Sequence, residues 1–264
     1  MNHFVFSASV TTVTTFLLGV YVLFSYFPTK KKLYLIYSFY SLSISFWAFF
    51  VSFFNADFRD PSLIFGRLLH LGAILIPILF VHFVLEFLEL RKKVLLFVIY
   101  AFGGVFIYLV FFTKLLITGV TRRSVYSYPS AGPLYLPFFI FFVSLIVIGI
   151  LLLFIHMRRA RGNRKNQIKY LLFGSILGYS GGLKNFLVVA DIEIFPIYPY
   201  GTYAIPVYVF IVAYAILRYR LLDIKIAVTR AGLFIVVYAF ILGLPFWMGY
   251  ATQQWPLSLA VMAV

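Results

Sequence analysis

The sequence contains no cysteine. Disulfides, thiolate nucleophiles and cysteine-based zinc sites are therefore excluded. Acidic residues are also scarce: 7 Asp and Glu stand against 22 Lys and Arg, and only 11% of the chain is charged. Soluble domains are nearer a quarter charged and half apolar. The abundance lies elsewhere, with 64% of the 264 residues hydrophobic and 21% aromatic. No single water-soluble core hides that much apolar surface. Lipid is the solvent that accepts it.

A net charge of +15 on a soluble protein would point to nucleic acid. Here the charges sit in short clusters between long apolar runs, which is the pattern of a membrane chain and gives no case for nucleic-acid binding. Backbone groups in lipid must bond internally, so each long apolar run predicts a helix. The predicted spans are 4–27, 33–54, 62–88, 94–112, 134–157, 168–190, 202–217 and 231–250, and a ninth run begins near Leu257 and is cut at Val264. The first run, Phe4 to Phe27, is too long for a cleavable signal and has no basic leader, so it reads as a retained helix. The expected fold class is an all-α integral membrane protein, a polytopic bundle of about eight transmembrane helices. Residues 1–225 form its seven-helix membrane domain. Residues 226–264 add a further hairpin whose second helix is truncated.

The connecting segments predict the orientation. Segments 28–32, 91–93, 158–169 and 218–230 hold sixteen of the 22 Lys and Arg, whereas the alternate segments 55–61, 113–133, 191–201 and 251–256 hold four. Positively charged loops stay in the cytoplasm, so the N-terminus is expected outside. The basic face also suits anionic headgroups of the bilayer. Asp60-Pro61 reads as an N-cap followed by proline at the first helical position. The outer segment 113–133 reads as a loop whose tyrosines, Tyr126 and Tyr128, belong at headgroup level together with Tyr135. The stretch 192–201, IEIFPIYPYG, reads as a structured cap over the outer face.

Three stretches carry a family resemblance. Trp47 is followed by FGRLLHLGA at 65–73, then Pro77 and LFVHFVL at 79–85. RKNQIKYLLFG at 164–174 is followed by Asn185-Phe186-Leu187. Pro196, Pro199 and Gly201 precede YAILRYRLLDI at 214–224. Over roughly residues 5–225 the chain resembles the N-terminal seven-transmembrane (7TM) sensory region of bacterial sensor histidine kinases. The resemblance implies a multi-pass protein of the bacterial inner membrane. Such a sensor takes up an extracellular or intramembrane stimulus and passes it to a cytoplasmic output. It also implies a homodimer, and a kinase or response regulator reached through the full-length protein. The sequence shows no phosphoacceptor-histidine motif and no ATP-binding glycine box, so the chain itself is not expected to be an enzyme or to hold a cofactor. A small-solute transporter is the rival reading; it would favour inverted repeats around midplane polar groups, and no repeat is evident.

Ionisable groups inside lipid are costly, so each asks for a reason. Arg67 and His70, spaced i, i+3 on the third helix, and Lys184-Asn185 on the sixth all fall in the outer half. One reading is an electropositive pocket for an anionic or hydrogen-bonding ligand, small and extracellular or lipid-like. The other is that Arg67 and Lys184 reach the headgroups while His70 bonds a neighbouring helix. His82, Glu86 and Glu89 lie near the cluster Arg91, Lys92 and Lys93. They read as an interfacial charge cluster rather than a metal site, which needs three or four convergent ligands. Three further features are candidates for signal transmission: Pro77 as a kink, Gly174 and Gly178 as a surface of close helix approach, and Arg218, Arg220 and Asp223 as a lever leaving the membrane. Each of these also has a purely structural reading.

Overall fold

The computed structural model describes residues 3–55, 63–122, 127–189 and 200–222, all within one compact unit, Met1–Leu222. The predicted span 231–250, the run from Leu257, Asp60-Pro61, Tyr126, Asp223 and nearly all of 192–201 lie outside the described residues.

Among the described residues there are seven α-helices: α1 (His3–Thr29), α2 (Lys32–Asn55), α3 (Leu63–Phe87), α4 (Lys93–Phe112), α5 (Tyr135–Arg159), α6 (Gly162–Val189) and α7 (Ala204–Tyr219). Six are long and apolar enough to cross a membrane, and the seventh is shorter but apolar. A 3-10 turn, Gly201–Tyr203, leads into α7. In lipid a hydroxyl must find a carbonyl, and the Thr-rich start of α1 does so within its own helix. Thr11 donates to Ser7 O at 2.8 Å and Thr15 to Thr11 O at 2.7 Å.

At one end of the bundle the turns are short and basic. Each uses a residue in the left-handed conformation: Lys30 after α1, Glu89 after α3, Gly162 at the start of α6 and Arg220 after α7. The turn after α3 is closed by Leu90 N donating to Leu85 O at 2.8 Å, and the one after α7 by Leu221 N donating to Ala215 O at 3.2 Å. These are the reverse turns that satisfy the last carbonyls of a helix. The basic stretch 158–169, expected as a loop, is mostly helix: only Ala160 and Arg161 separate α5 from α6. A hydropathy reading cuts a helix at its first charges, but backbone hydrogen bonding continues into the polar region.

At the opposite end, residues 113–133 hold an antiparallel hairpin, β1 (Ile117–Arg122) with β2 (Ser127–Ala131). Its register runs from Arg122 opposite Ser127 to Ile117 opposite Ala131, with an irregularity between Ile117 and Gly119. The hairpin packs into the bundle: Leu116, Ile117 and Tyr128 are all buried. Tyr128 and Tyr135 are therefore core residues, not headgroup anchors.

The centre of the bundle is α3, whose apolar span is 72% buried against 22% for α4. It makes three contacts of a large side chain with a small one. A Cβ on Gly72 would lie 3.0 Å from Trp47 Cα of α2, one on Gly103 of α4 would strike Ile78, and one on Gly149 of α5 would strike Phe80. Such glycines let helices approach closely where no hydrophobic force drives them together. Gly104 has no atom within 4 Å of its Cβ position. Gly72→Leu is expected to lower stability by about 1–3 kcal/mol through overpacking. Gly104→Ala, free of steric conflict and better in a helix, is expected to leave it level or raise it by up to about 1 kcal/mol. Thermal unfolding of the two variants in the same detergent checks both.

Candidate functional site

The helices leave a cavity of about 690 Å³, including its mouth, in the half of the bundle nearest the hairpin. Helical periodicity explains its walls. Tyr40, Ile44 and Trp47 form one stripe of α2, and Leu69, Ala73 and Ile76 form another on α3. A third stripe on α6 runs Ser175, Gly178, Tyr179, Gly182, Asn185 and Phe186. Helix α5 adds Tyr135 and Phe142, α7 adds Ile205 and Tyr208, and the hairpin closes the end with Tyr128. The walls are largely aromatic. Phe142 and Phe186 meet at 4.5 Å between ring centres, and Tyr179 meets Phe80 of α3 at 4.9 Å.

Phenol groups gather at the floor. Tyr40 Oη donates to Tyr179 Oη at 3.2 Å, and the hydroxyls of Tyr37 and Tyr208 join the same cluster. The hydroxyls of Ser175 and Tyr208 are buried without a hydrogen bond of ordinary geometry. Tyr208 is seated by glycines: its Cβ lies 3.1 Å from a Cβ on Gly178 and its ring 3.2 Å from one on Gly174. The Gly174–Gly178 pair is thus the bed in which α7 lies on α6.

The four residues singled out as a ligand site separate. His70 lines the cavity, and its Nδ1 donates to Gly66 O at 2.8 Å, which leaves Nε2 of the neutral ring as an acceptor. Asn185 also lines it. Arg67 does not: its guanidinium donates to Thr113 O at 3.5 Å, beyond the end of α4. Lys184 is buried, with its stem against Gly201 of the 3-10 turn. Among the described residues no lysine, arginine, aspartate or glutamate lines the cavity. Pro77 is buried inside α3 and is not part of the wall. The sequence reading missed Tyr40, Ser175, Tyr179 and Tyr208; their i, i+3/i+4 spacing with other wall residues was the available signal.

Asn185 seals the hairpin onto the bundle. Its Oδ1 accepts from Tyr128 Oη at 2.9 Å while its Nδ2 donates to Gly182 O at 2.9 Å. Asn55 of α2 repeats the device, accepting from Ser127 N at 2.8 Å. Replacing Asn185 by alanine removes a buried partner of the Tyr128 phenol, at a cost of about 1–3 kcal/mol. Backbone amides of 117–122 and 127–131 should then exchange with solvent roughly tenfold faster or more. Tyr128→Phe, which removes both the donor and the need for a partner, should accelerate them less.

A second constellation lies at the basic end, where α6 begins. The Arg164 guanidinium stacks 4.2 Å from the Phe87 ring and donates to Phe87 O, the last residue of α3. Arg164 also donates to Gln167 Oε1 at 3.1 Å. Gln167 Nε2 donates to Tyr219 O at 2.9 Å and Arg220 O at 3.2 Å, and Asn163 Nδ2 donates to Tyr219 O at 2.9 Å. Tyr170 stacks on Tyr219 at 4.9 Å. The first turns of α6 therefore hold the carbonyl ends of both α3 and α7. Arg218 is exposed beside this joint and Arg220 takes the left-handed turn. His82 Nδ1 shares a 2.8 Å hydrogen bond with Tyr100 Oη of α4, and Glu89 acts electrostatically on Arg164.

No curated protein and no solved structure matches the chain. A protein family does: the one described as the N-terminal 7TM region of histidine kinase, over residues 7–225. That region begins in α1 and runs through α7, and it is the sensory membrane part of such kinases rather than a catalytic kinase domain. Seven successive apolar helices, six of them of membrane length, agree with it. The chain is a multi-pass membrane protein, and it belongs to the family of N-terminal 7TM regions of histidine kinases.

Proposed function

We propose that this chain is the input module of a two-component signalling histidine kinase, with its N-terminus and hairpin outside the bacterial inner membrane and its basic turns in the cytoplasm. It relays an extracellular or intramembrane stimulus to a cytoplasmic output, works as a homodimer, and reaches a response regulator through the full-length protein. The observation that carries this reading is the family match across all seven helices. The bilayer is its standing partner, and the charge asymmetry of its turns supports the orientation.

The relay runs along α6 and α7. Tyr208 at the cavity and Tyr219 at the joint lie on one helix, about 16 Å apart at ~1.5 Å per residue. Between them α7 rests on Gly174 and Gly178, and its Tyr214 meets Tyr170 of α6 at 5.4 Å between ring centres. A stimulus that favours one seating of Tyr208 over another shifts α7 as a body, and the shift emerges at Arg218, Arg220 and Asp223. Only a differential interaction with the two seatings moves that equilibrium. His70 and Asn185 are the ligand-facing residues of this scheme, with Arg67 and Lys184 bracing the hairpin end behind them. Pro77 leaves one carbonyl of α3 without its helical partner and gives that helix freedom to follow.

Two experiments test the reading. The chain has no native cysteine, so single introduced ones report without background. Gly119→Cys in the hairpin should react with a membrane-impermeant maleimide on intact cells, and Arg161→Cys should react only after lysis; the reverse pattern inverts the orientation. Spin labels at Arg159→Cys and Arg218→Cys, both exposed, read the basic end. Gly178→Leu, which wedges against Tyr208, should change their separation by on the order of 2 Å. Gly104→Leu should not. An unchanged distance in the wedged variant refutes the relay.

A further inference from the structure

We propose that the interior cavity binds an uncharged, ring-bearing small molecule that carries a hydrogen-bonding group. The assignment deepens the sensory reading by naming the ligand class, and rests on it only for the ligand's role as stimulus. Charge is argued first. Among the described residues no ionised side chain lines the wall, so a charged ligand would lose its water and gain no counter-charge from them. Shape comes next. The walls present the rings of Tyr40, Trp47, Tyr135, Phe142, Tyr179 and Phe186, which favour offset or edge-on contact with another ring.

The polar requirement comes from the floor. Ser175 Oγ is 1% exposed at the residue level and has no hydrogen bond, although it lies on a helix where serines commonly bond their own backbone. His70 offers Nε2 from the opposite wall. A purely apolar guest would leave these groups unmatched, whereas a hydroxyl or carbonyl on the guest matches them. Gly182 supplies the room: it lines the cavity with no atom within 4 Å of its Cβ position.

The test uses the full 264-residue chain in nanodiscs of zwitterionic lipid. Radiolabelled 1-naphthol is the probe, measured by equilibrium dialysis against empty discs. Naphthalene, naphthalene-1-sulfonate and 1-decanol serve as comparisons. The expected result is saturable binding of 1-naphthol at one site per chain. Neither the sulfonate nor the decanol should compete. Gly182→Leu, which fills the cavity, should weaken binding roughly tenfold or more. Gly104→Leu, on the lipid side, should not. Ser175→Ala removes a hydroxyl that bonds nothing inside the protein, so the fold keeps its contacts. It should weaken 1-naphthol several-fold and leave naphthalene unchanged.

Binding no greater than in empty discs, binding indifferent to Gly182→Leu, or effective competition by the sulfonate would each overturn the assignment. If Gly182→Leu does not fold, equal loss of naphthol and naphthalene in Ser175→Ala, or loss of neither, does the same. None of these outcomes touches the relay, because the label distances at the basic end are read without any ligand.

Discussion

A chain surrounded by lipid has no water to take up its polar groups, and the arrangement of this bundle follows from where each group finds a partner. Threonines of α1 fold back on their own carbonyls, which keeps that helix neutral toward its surroundings. Asn55 and Asn185 spend their amides between elements, and so fasten the hairpin over the cavity. Asn163 and Gln167 take the terminal carbonyls of α7, groups that a helix end otherwise leaves to solvent. Ser175, on the cavity wall, is a buried hydroxyl without such a partner. Cavity and joint are thus two outcomes of one constraint.

Helix α6 connects them. Its C-terminal half walls the cavity, its glycines seat Tyr208, and its first turns grip the ends of α3 and α7. It is also the least apolar of the six long helices, because a helix with polar work at both ends and glycines between has fewer positions for aliphatic side chains. Close contacts hold α3 against Trp47, Gly103 and Gly149, and α6 against α7, where a Cβ on Gly181 would lie 2.7 Å from Ala204 Cβ.

Much of this was legible before any coordinates. Seven apolar runs gave seven helices close to the expected bounds, since membrane length and internal hydrogen bonding leave few alternatives. The family was legible in the polar and small residues embedded in those runs. The start of α6 was not, because charges at 158–169 mark the edge of the apolar span and not the end of the helix. The hairpin was not either: short strands of Thr, Gly, Ser and Pro have no periodicity strong enough to stand out from a loop. His70 and Asn185 stood out as polar residues in an apolar context, and both line the cavity. Arg67 and Lys184 stood out for the same reason and do not, since a long side chain ends several ångströms from its helix position and polarity alone carries no direction. Tyr40, Tyr179 and Tyr208 escaped notice because tyrosine in such a sequence is ordinarily assigned to the membrane boundary.

The left-handed turns carry a mechanical consequence. Two residues join α1 to α2, two join α5 to α6, and five join α3 to α4, so these six helices form three close-coupled hairpins stitched at a common edge. The connections at the far edge are longer. Helix α7 is the odd member: among the described residues it has no hairpin twin, and at the stitched edge the amides of Asn163 and Gln167 and the ring of Tyr170 hold it. Displacing any other helix drags a neighbour with it. Displacing α7 instead strains the contacts that Asn163, Gln167 and Tyr170 make with its last turn, so the start of α6 sets how far it moves.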